Sequence, residues 1–276
     1  MKAASRSKTP ELSLIAPAHN EEDNIAPLVR EVDEVLSAAG IEYEFIVIDD
    51  GSTDATLPRL KHLLEDVHAL RVIRLTGTPR GRGNGQSAAF HAGIRAARAH
   101  VLAMIDADCQ NDPADVPRLL ARMRESGADL VQGDRSHARK DTPIRRVTSV
   151  VSRWFRVILF KDRVRDTACS LRVIRRDVAL QLLLQFRGQH RYIPMIARHL
   201  GYRVEEMPVN HRPRRAGSAK YGLFNRAIPA IGDVIAVRWM MRRRRCCEYE
   251  EIEVEAAPLP PPARRHEPAT PDQLVP

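Results

Sequence analysis

Val101-Leu-Ala-Met-Ile-Asp-Ala-Asp-Cys-Gln110 is a short apolar run that ends abruptly in Asp106, Asp108 and Gln110. Side chains two apart along a strand share a face, so a strand running off its end would project these three oxygen-bearing groups toward one point. Carboxylate and amide oxygens suit Mg²⁺ or Mn²⁺, and Mg²⁺ commonly bridges protein carboxylates to substrate phosphates. The competing reading is a plain strand-to-turn junction, because Asn111-Asp-Pro113 follows at once and such residues favour turns.

Working outward, Glu11–Pro17, Glu44–Asp49 and Leu70–Leu75 read as further apolar strands. Helical patterns follow them, over about residues 23–39, 55–66 and 85–98. Strands alternating with helices argue for parallel βαβ units. In open α/β sheets ligands collect beyond the carboxyl ends of the strands. The polar clusters at His19–Asn24, Asp49–Asp54 and Asp106–Gln110 therefore fall at one edge and form a candidate site.

The ordered set Ala16-Pro-Ala-His-Asn-Glu21, Ile48-Asp-Asp-Gly-Ser-Thr-Asp54 and Asp106-Ala-Asp-Cys-Gln110 resembles the GT-A-type family 2 glycosyltransferases. Within that family it is most similar to the polyprenyl-phosphate transferases, dolichyl-phosphate mannosyltransferase and its bacterial counterparts. Val131–Arg135, Arg165–Arg172 and Arg214–Tyr221 extend the resemblance over about residues 11 to 226. His19 stands where the family often has an aromatic residue, and Ser218 is displaced from its usual place beside Lys220. The implied fold is a three-layer α/β/α sandwich with a mostly parallel central sheet.

The resemblance also implies a reaction: a sugar leaves a nucleotide sugar, with inversion, for an acceptor. Asp106, Asp108 and Gln110 are then the residues for Mg²⁺ or Mn²⁺ and the diphosphate. Pro17, Asn20, Glu21, Asp49 and Asp50 line the nucleotide pocket, and Arg214 and Lys220 lie over the substrate phosphates. Arg135 with Arg145 or Arg146 would hold an acceptor phosphate. A polyprenyl phosphate is already an anion and needs no base; a hydroxyl acceptor would need one. Asp166 occupies the family position for a base or an acceptor-side carboxylate, which leaves both acceptors open.

Composition fits this reading. The 276 residues carry a net charge of +9. From Cys246 onward seven acids face two arginines, which leaves +14 on residues 1–245. Thirteen Arg or Lys lie between Arg135 and Arg176. Such charge favours phosphates and anionic lipid. Aromatics are only 5% and no nucleic-acid motif occurs, which argues against nucleic acid.

Residues 1–10 lack a secretory signal, and no segment reaches the roughly 20 apolar residues a bilayer span needs. The catalytic region is read as 11–222, facing the cytoplasm. Over 223–245, Phe224, Ile228, Ile231, Ile235 and Trp239 recur at helical spacing before Arg242–Arg245. The pattern suits a helix lying in the inner membrane interface; the alternative is a helix packed on the protein's own core. The tail 246–276, acidic and then Pro-rich, is expected to be disordered. Cys246-Cys247 beside the basic run could be acylated.

Two motifs remain. Gly81-x-Gly83-x-Gly85 invites a phosphate-loop reading with Arg80 or Arg82 as donors, but matches no phosphate motif and reads more simply as a flexible loop. The small residues Ala88, Ala89, Gly93, Ala96 and Ala97 after it would let a helix approach the sheet closely. Val150–Phe160 is read as a helix covering the site or packing on the core, and His190 either approaches the donor sugar or is structural.

Overall fold

The computed structural model describes residues 9–78, 81–137, 164–182, 184–213 and 224–244, with backbone only for 224–231. Arg80, Arg145, Arg146, the 150–160 segment, Arg214, Lys220 and the tail from 245 lie outside the described residues. The described residues up to Arg243 belong to one compact unit.

Chain order is β1 (Leu12–Ala18), α1 (Glu22–Ala38), β2 (Tyr43–Asp49), α2 (Thr56–Asp66), β3 (Leu70–Arg74), α3 (Gln86–Ala96) and β4 (Val101–Met104). Then come α4 (Asp115–Ser126), β5 (Leu130–Asp134), β6 (Arg172–Arg175), α5 (Arg176–Leu180), a 3₁₀ turn (Gln189–Tyr192), α6 (Ile193–His199), β7 (Val204–Pro208) and α7 (Phe224–Arg243). Among the described residues the strands form one sheet in the order β3-β2-β1-β4-β6-β5-β7.

The chain builds outward from β1 to β3, then jumps back so that β4 pairs with β1 on its other side. This reversal is the switch point where open α/β sheets bind ligands. β6 runs antiparallel to both β4 and β5. It therefore starts where they finish, with Arg172 opposite Met104 and Gln132. β7 is parallel to β5, so the chain after Pro208 emerges at the same edge.

Strand alternation divides the core. Leu12, Leu14, Ala16, Phe45 and Val47 face α1, α2 and α4, while Ile15, Ile46, Ile48 and Met104 face α3, α5 and α6. The result is the expected three-layer sandwich. On α3, a Cβ at Gly93 would lie 2.4 Å from Ile15 Cγ2, so the helix packs closer than any other residue permits. On α7, Val237 is buried and Val234 and Met241 pack beside it, while Ile235 and Trp239 are 60% and 56% exposed.

Away from the site, buried Glu44 on β2 accepts bonds from Ser13 Oγ at 2.6 Å, Arg98 N at 2.7 Å and Arg71 at 2.5 Å. Removing a buried carboxylate strands these donors. Glu44→Ala is expected to lower the unfolding free energy by about 2 kcal/mol, read by urea denaturation.

Candidate active site

The apolar alternation of β4 continues past its last paired residue. Ile105, Ala107 and Cys109 are buried, whereas Asp106, Asp108 and Gln110 are only half-buried. The strand itself does not extend that far. Ladder pairing with β1 stops at Ile15–Met104, Ile105 N bonds Ile15 O at 3.0 Å, and the chain then turns. Side chains replace the ladder: Asn111 Oδ1 accepts from Asp106 N at 3.3 Å and Asp108 Oδ1 from Gln110 N at 3.1 Å. Cys109 adopts the left-handed region at φ 58°. The three oxygen-bearing groups thus share one side through a turn, not through an extended strand.

Asp106 is the most perturbed carboxyl there. Burial first, and the neighbouring Asp108 second, push it up from 3.8 to about 6. Two carboxylates held together in poor solvent repel, and a divalent cation is the simplest partner to relieve them. Carboxylate and amide oxygens are the donor types that suit such an ion. Gln86, at the start of α3, donates its Nε2 hydrogen to Asp106 Oδ1.

The residues expected to line the nucleotide pocket are knitted across two loops. Asn20, at φ 55°, accepts Thr53 N at 2.8 Å and donates its own N–H to Ser52 Oγ at 3.0 Å. Glu21 N donates to Thr56 Oγ1 at 2.8 Å, and its carboxylate accepts from Asn24 at 2.8 Å. Asp49 is fully buried. Its Oδ1 accepts Ser52 N at 3.2 Å, but Oδ2 has no hydrogen-bond partner. A buried acceptor left unpaired calls for an outside donor. Beside this loop a cleft of about 450 Å³ is lined by Gly51, Ser52, Thr53, Arg74, Thr76 and Thr78, among others. Pro17 sits half-buried opposite Ile48 in β2.

Asp50 follows Asp49 directly in the chain. Its carboxylate accepts Asn84 N at 2.8 Å and Gly85 N at 2.6 Å, so it holds the Gly-rich loop.

Arg135 and Asp166, the residues expected on the acceptor side, form a buried fork: Nε to Oδ2 at 2.8 Å and Nη2 to Oδ1 at 3.2 Å. Burial works against the Arg135 charge, but hydrogen-bonded Asp166 more than offsets it and keeps Arg135 cationic. The expected phosphate-binding arginine is thus already engaged by the expected acceptor-side carboxylate. Beneath them lies Arg172, bonded to the carbonyls of Ser170 and His190 at 3.2 Å each, and to that of Cys169. Burial pushes it down to about 10, still charged at neutral pH.

Burial also drives Cys169 up to about 11 and His190 down to about 3. The ring of His190 pairs with Ser87 Oγ at 2.8 Å, which holds it against the start of α3. After β7, Arg212 N bonds Gln110 O at 2.9 Å while its side chain reaches Glu31 and Asp112 at 2.6 and 2.7 Å. That segment braces the acidic turn from behind.

Sequence reasoning missed Gln86, Arg172, Arg212 and the cleft residues Arg74, Thr76 and Thr78. Gln86 carried one signal, its place straight after the Gly-rich run. The others depend on which distant strands become neighbours.

The profile described as "Glycosyl transferase family 2" matches residues 13–183. The chain belongs to this family. It is a glycosyltransferase, 34% identical over 236 residues to a dodecaprenyl-phosphate galacturonate synthase of Rhizobium johnstonii, which covers 84% of this chain and 68% of that protein. It is 31% identical to an undecaprenyl-phosphate 4-deoxy-4-formamido-L-arabinose transferase of Pseudomonas fluorescens, over 76% of this chain and 60% of that one. The chain thus spans about two thirds of the length of these relatives. Among solved structures, glucosyl-3-phosphoglycerate synthase of Mycobacterium tuberculosis, with Mn²⁺ and UDP, shares the fold. Its TM-score is 0.62 at 20% identity, covering 84% of this chain and 80% of that one. A mannosyltransferase of Pyrobaculum calidifontis with GDP-Man and Mn²⁺ matches with a TM-score of 0.54 at 17% identity, over 76% and 59% of the two chains.

The raised Asp106 carries a stability consequence. Its folded value of about 6 exceeds its unfolded value of 3.8, so the protonated form favours folding. That contribution is full below pH 4 and lost as pH rises through 6. Asp106→Asn keeps an acceptor for Gln86 and removes the charge. Without divalent ions it should stabilise the protein by about 1–2 kcal/mol at pH 7.5, with the gain vanishing near pH 4, measured by denaturant titration.

Proposed function

We propose that this glycosyltransferase moves a sugar from a nucleotide sugar to a polyprenyl phosphate, with inversion, at the inner face of the membrane. The acidic turn of Asp106, Asp108 and Gln110 at the switch point is the observation that carries it. The relatives named for dodecaprenyl- and undecaprenyl-phosphate products, at 34% and 31% identity, support the acceptor class.

Mg²⁺ or Mn²⁺, held by Asp106, Asp108 and Gln110, would supply Lewis-acid stabilisation of the diphosphate as it leaves. The chain's own residues do the rest. Asp49 Oδ2 awaits a donor, which a base N–H or ribose hydroxyl provides. The phosphate oxygen of the acceptor attacks the anomeric carbon as the bond to the diphosphate breaks. No proton moves from the acceptor, so no base is required.

The Arg135–Asp166 fork favours this reading over a hydroxyl acceptor. Both oxygens of Asp166 already accept from Arg135, so the carboxylate is committed to orienting the arginine. With a phosphate acceptor it orients Arg135, and the buried positive charge of Arg135 and Arg172 offsets the anions brought together. Arg145, Arg146, Arg214 and Lys220 complete the proposed phosphate contacts from outside the described residues.

Among the described residues no helix is long and apolar enough to cross a membrane. α7 offers a surface attachment instead. It is anchored by buried Val237 and turns Ile235 and Trp239 outward, and the Arg243 guanidinium lies 5.0 Å from the Trp239 ring centroid. Aromatic and basic residues on an exposed helix face suit an anionic headgroup layer.

Four measurements test these points. With a nucleotide-sugar panel and Mn²⁺, release of nucleoside diphosphate should require added polyprenyl phosphate; release that instead requires a hydroxyl acceptor would reverse the assignment. Asp108→Asn should cut turnover by at least about 100-fold with the fold intact. Asp166→Asn should slow turnover without removing an acidic limb from the pH–rate profile, because no base is titrated. Ile235→Ser with Trp239→Ser should weaken flotation with anionic vesicles several-fold and leave the melting temperature unchanged, since both side chains are exposed.

A further inference from the structure

The Gly-rich loop is the feature that the proposed reaction leaves unused. Gly81, Gly83 and Gly85 have φ of 73°, 59° and 97°, so glycines set the path of the chain. A Cβ on Gly83 would lie 2.7 Å from Asp50 Oδ2, which leaves no room for another residue there. The N–H groups of Asn84 and Gly85 both point at the Asp50 carboxylate, at 2.8 and 2.6 Å. Consecutive amides converging on an anion form a nest. In this nest the anion is a side chain of the protein. These two amides are therefore taken and are not free to bind the donor diphosphate.

The loop ends on Gln86, the first residue of α3. That helix is seated on the sheet where Gly93 meets Ile15, so its start is fixed relative to β1 and β4. From this platform Gln86 Nε2 donates to Asp106 Oδ1. A continuous link thus runs from the end of β2, through Asp50 and the loop amides, to a carboxyl of the acidic turn. Asp50 follows Asp49, whose Oδ2 is buried without a hydrogen-bond partner.

We propose that Gln86 is a positioning residue: held in place by the Asp50-clamped loop, its carboxamide fixes the orientation in which Asp106 meets the divalent cation. This deepens the proposed function and rests on its assignment of the acidic turn. Groups that orient a ligating side chain typically change metal affinity by about 10–100-fold when removed. The loop contributes because it fixes where the Gln86 backbone sits.

Mn²⁺ binding to the full chain, followed by the electron paramagnetic resonance signal of the free ion at pH 8, tests this without turnover. Gln86→Met keeps the length of the side chain and loses its donor; it should weaken Mn²⁺ binding about tenfold with a melting temperature close to the parent's. Gly83→Ala, remote from Asp106 but pushed against Asp50, should weaken it in the same direction. Asp106→Asn should bind least. Parental affinity in Gln86→Met overturns the positioning role while leaving the metal site standing. Parental affinity in a folded Gly83→Ala overturns the clamp. Equal binding by Asp106→Asn and the parent removes the metal assignment itself, and the inference with it.

Discussion

Asp106 and Asp108 repel each other at the end of β4, in a place where water is scarce. The neighbouring architecture can be understood as a means of holding that repulsion in place. Asp106 is braced by the Asn111 side chain at its backbone and by Gln86 at its carboxyl. The turn is braced again by Arg212 against Gln110 O. Such an arrangement costs stability in the empty protein, and a cation that binds the pair recovers it.

The position of the turn follows from topology. β1 and β4 are neighbours although three helices and two strands separate them in sequence. The antiparallel β6 then brings the chain before Arg172 back to the same edge. That return places the Arg135–Asp166 fork and Arg172 near the acidic turn. Positive charge there is buried and bonded, so its orientation is set before any anion arrives. A preorganised cationic floor suits the approach of one phosphate to another.

Much of the first half was readable from the chain. Four apolar runs with helical patterns between them became β1–β4 and α1–α3, with ends displaced by a residue or two. α3 hugs the sheet through Gly93 as its small residues implied. The spacing of Asp106, Asp108 and Gln110 did signal a shared side, but the turn achieves it through Asx-type bonds and a left-handed Cys109. Asp50 could not be told from Asp49 by type, because one faces the loop amides and the other keeps an unpaired oxygen. β6 was hidden for a different reason: a four-residue strand with Arg at each end, Arg172–Arg175, carries no alternating pattern. Arg172 is buried only because distant carbonyls converge on it, and no local signal encodes that.

The central claim is that a divalent ion sits at this acidic turn beside the nucleotide diphosphate. The most direct measurement is an anomalous difference map from crystals grown with Mn²⁺ and a nucleoside diphosphate. The account predicts a single strong peak at coordination distance from Asp108, with Asp106 and a diphosphate oxygen around it. A bound nucleotide with no peak there, or a diphosphate neutralised by arginines alone, would contradict it.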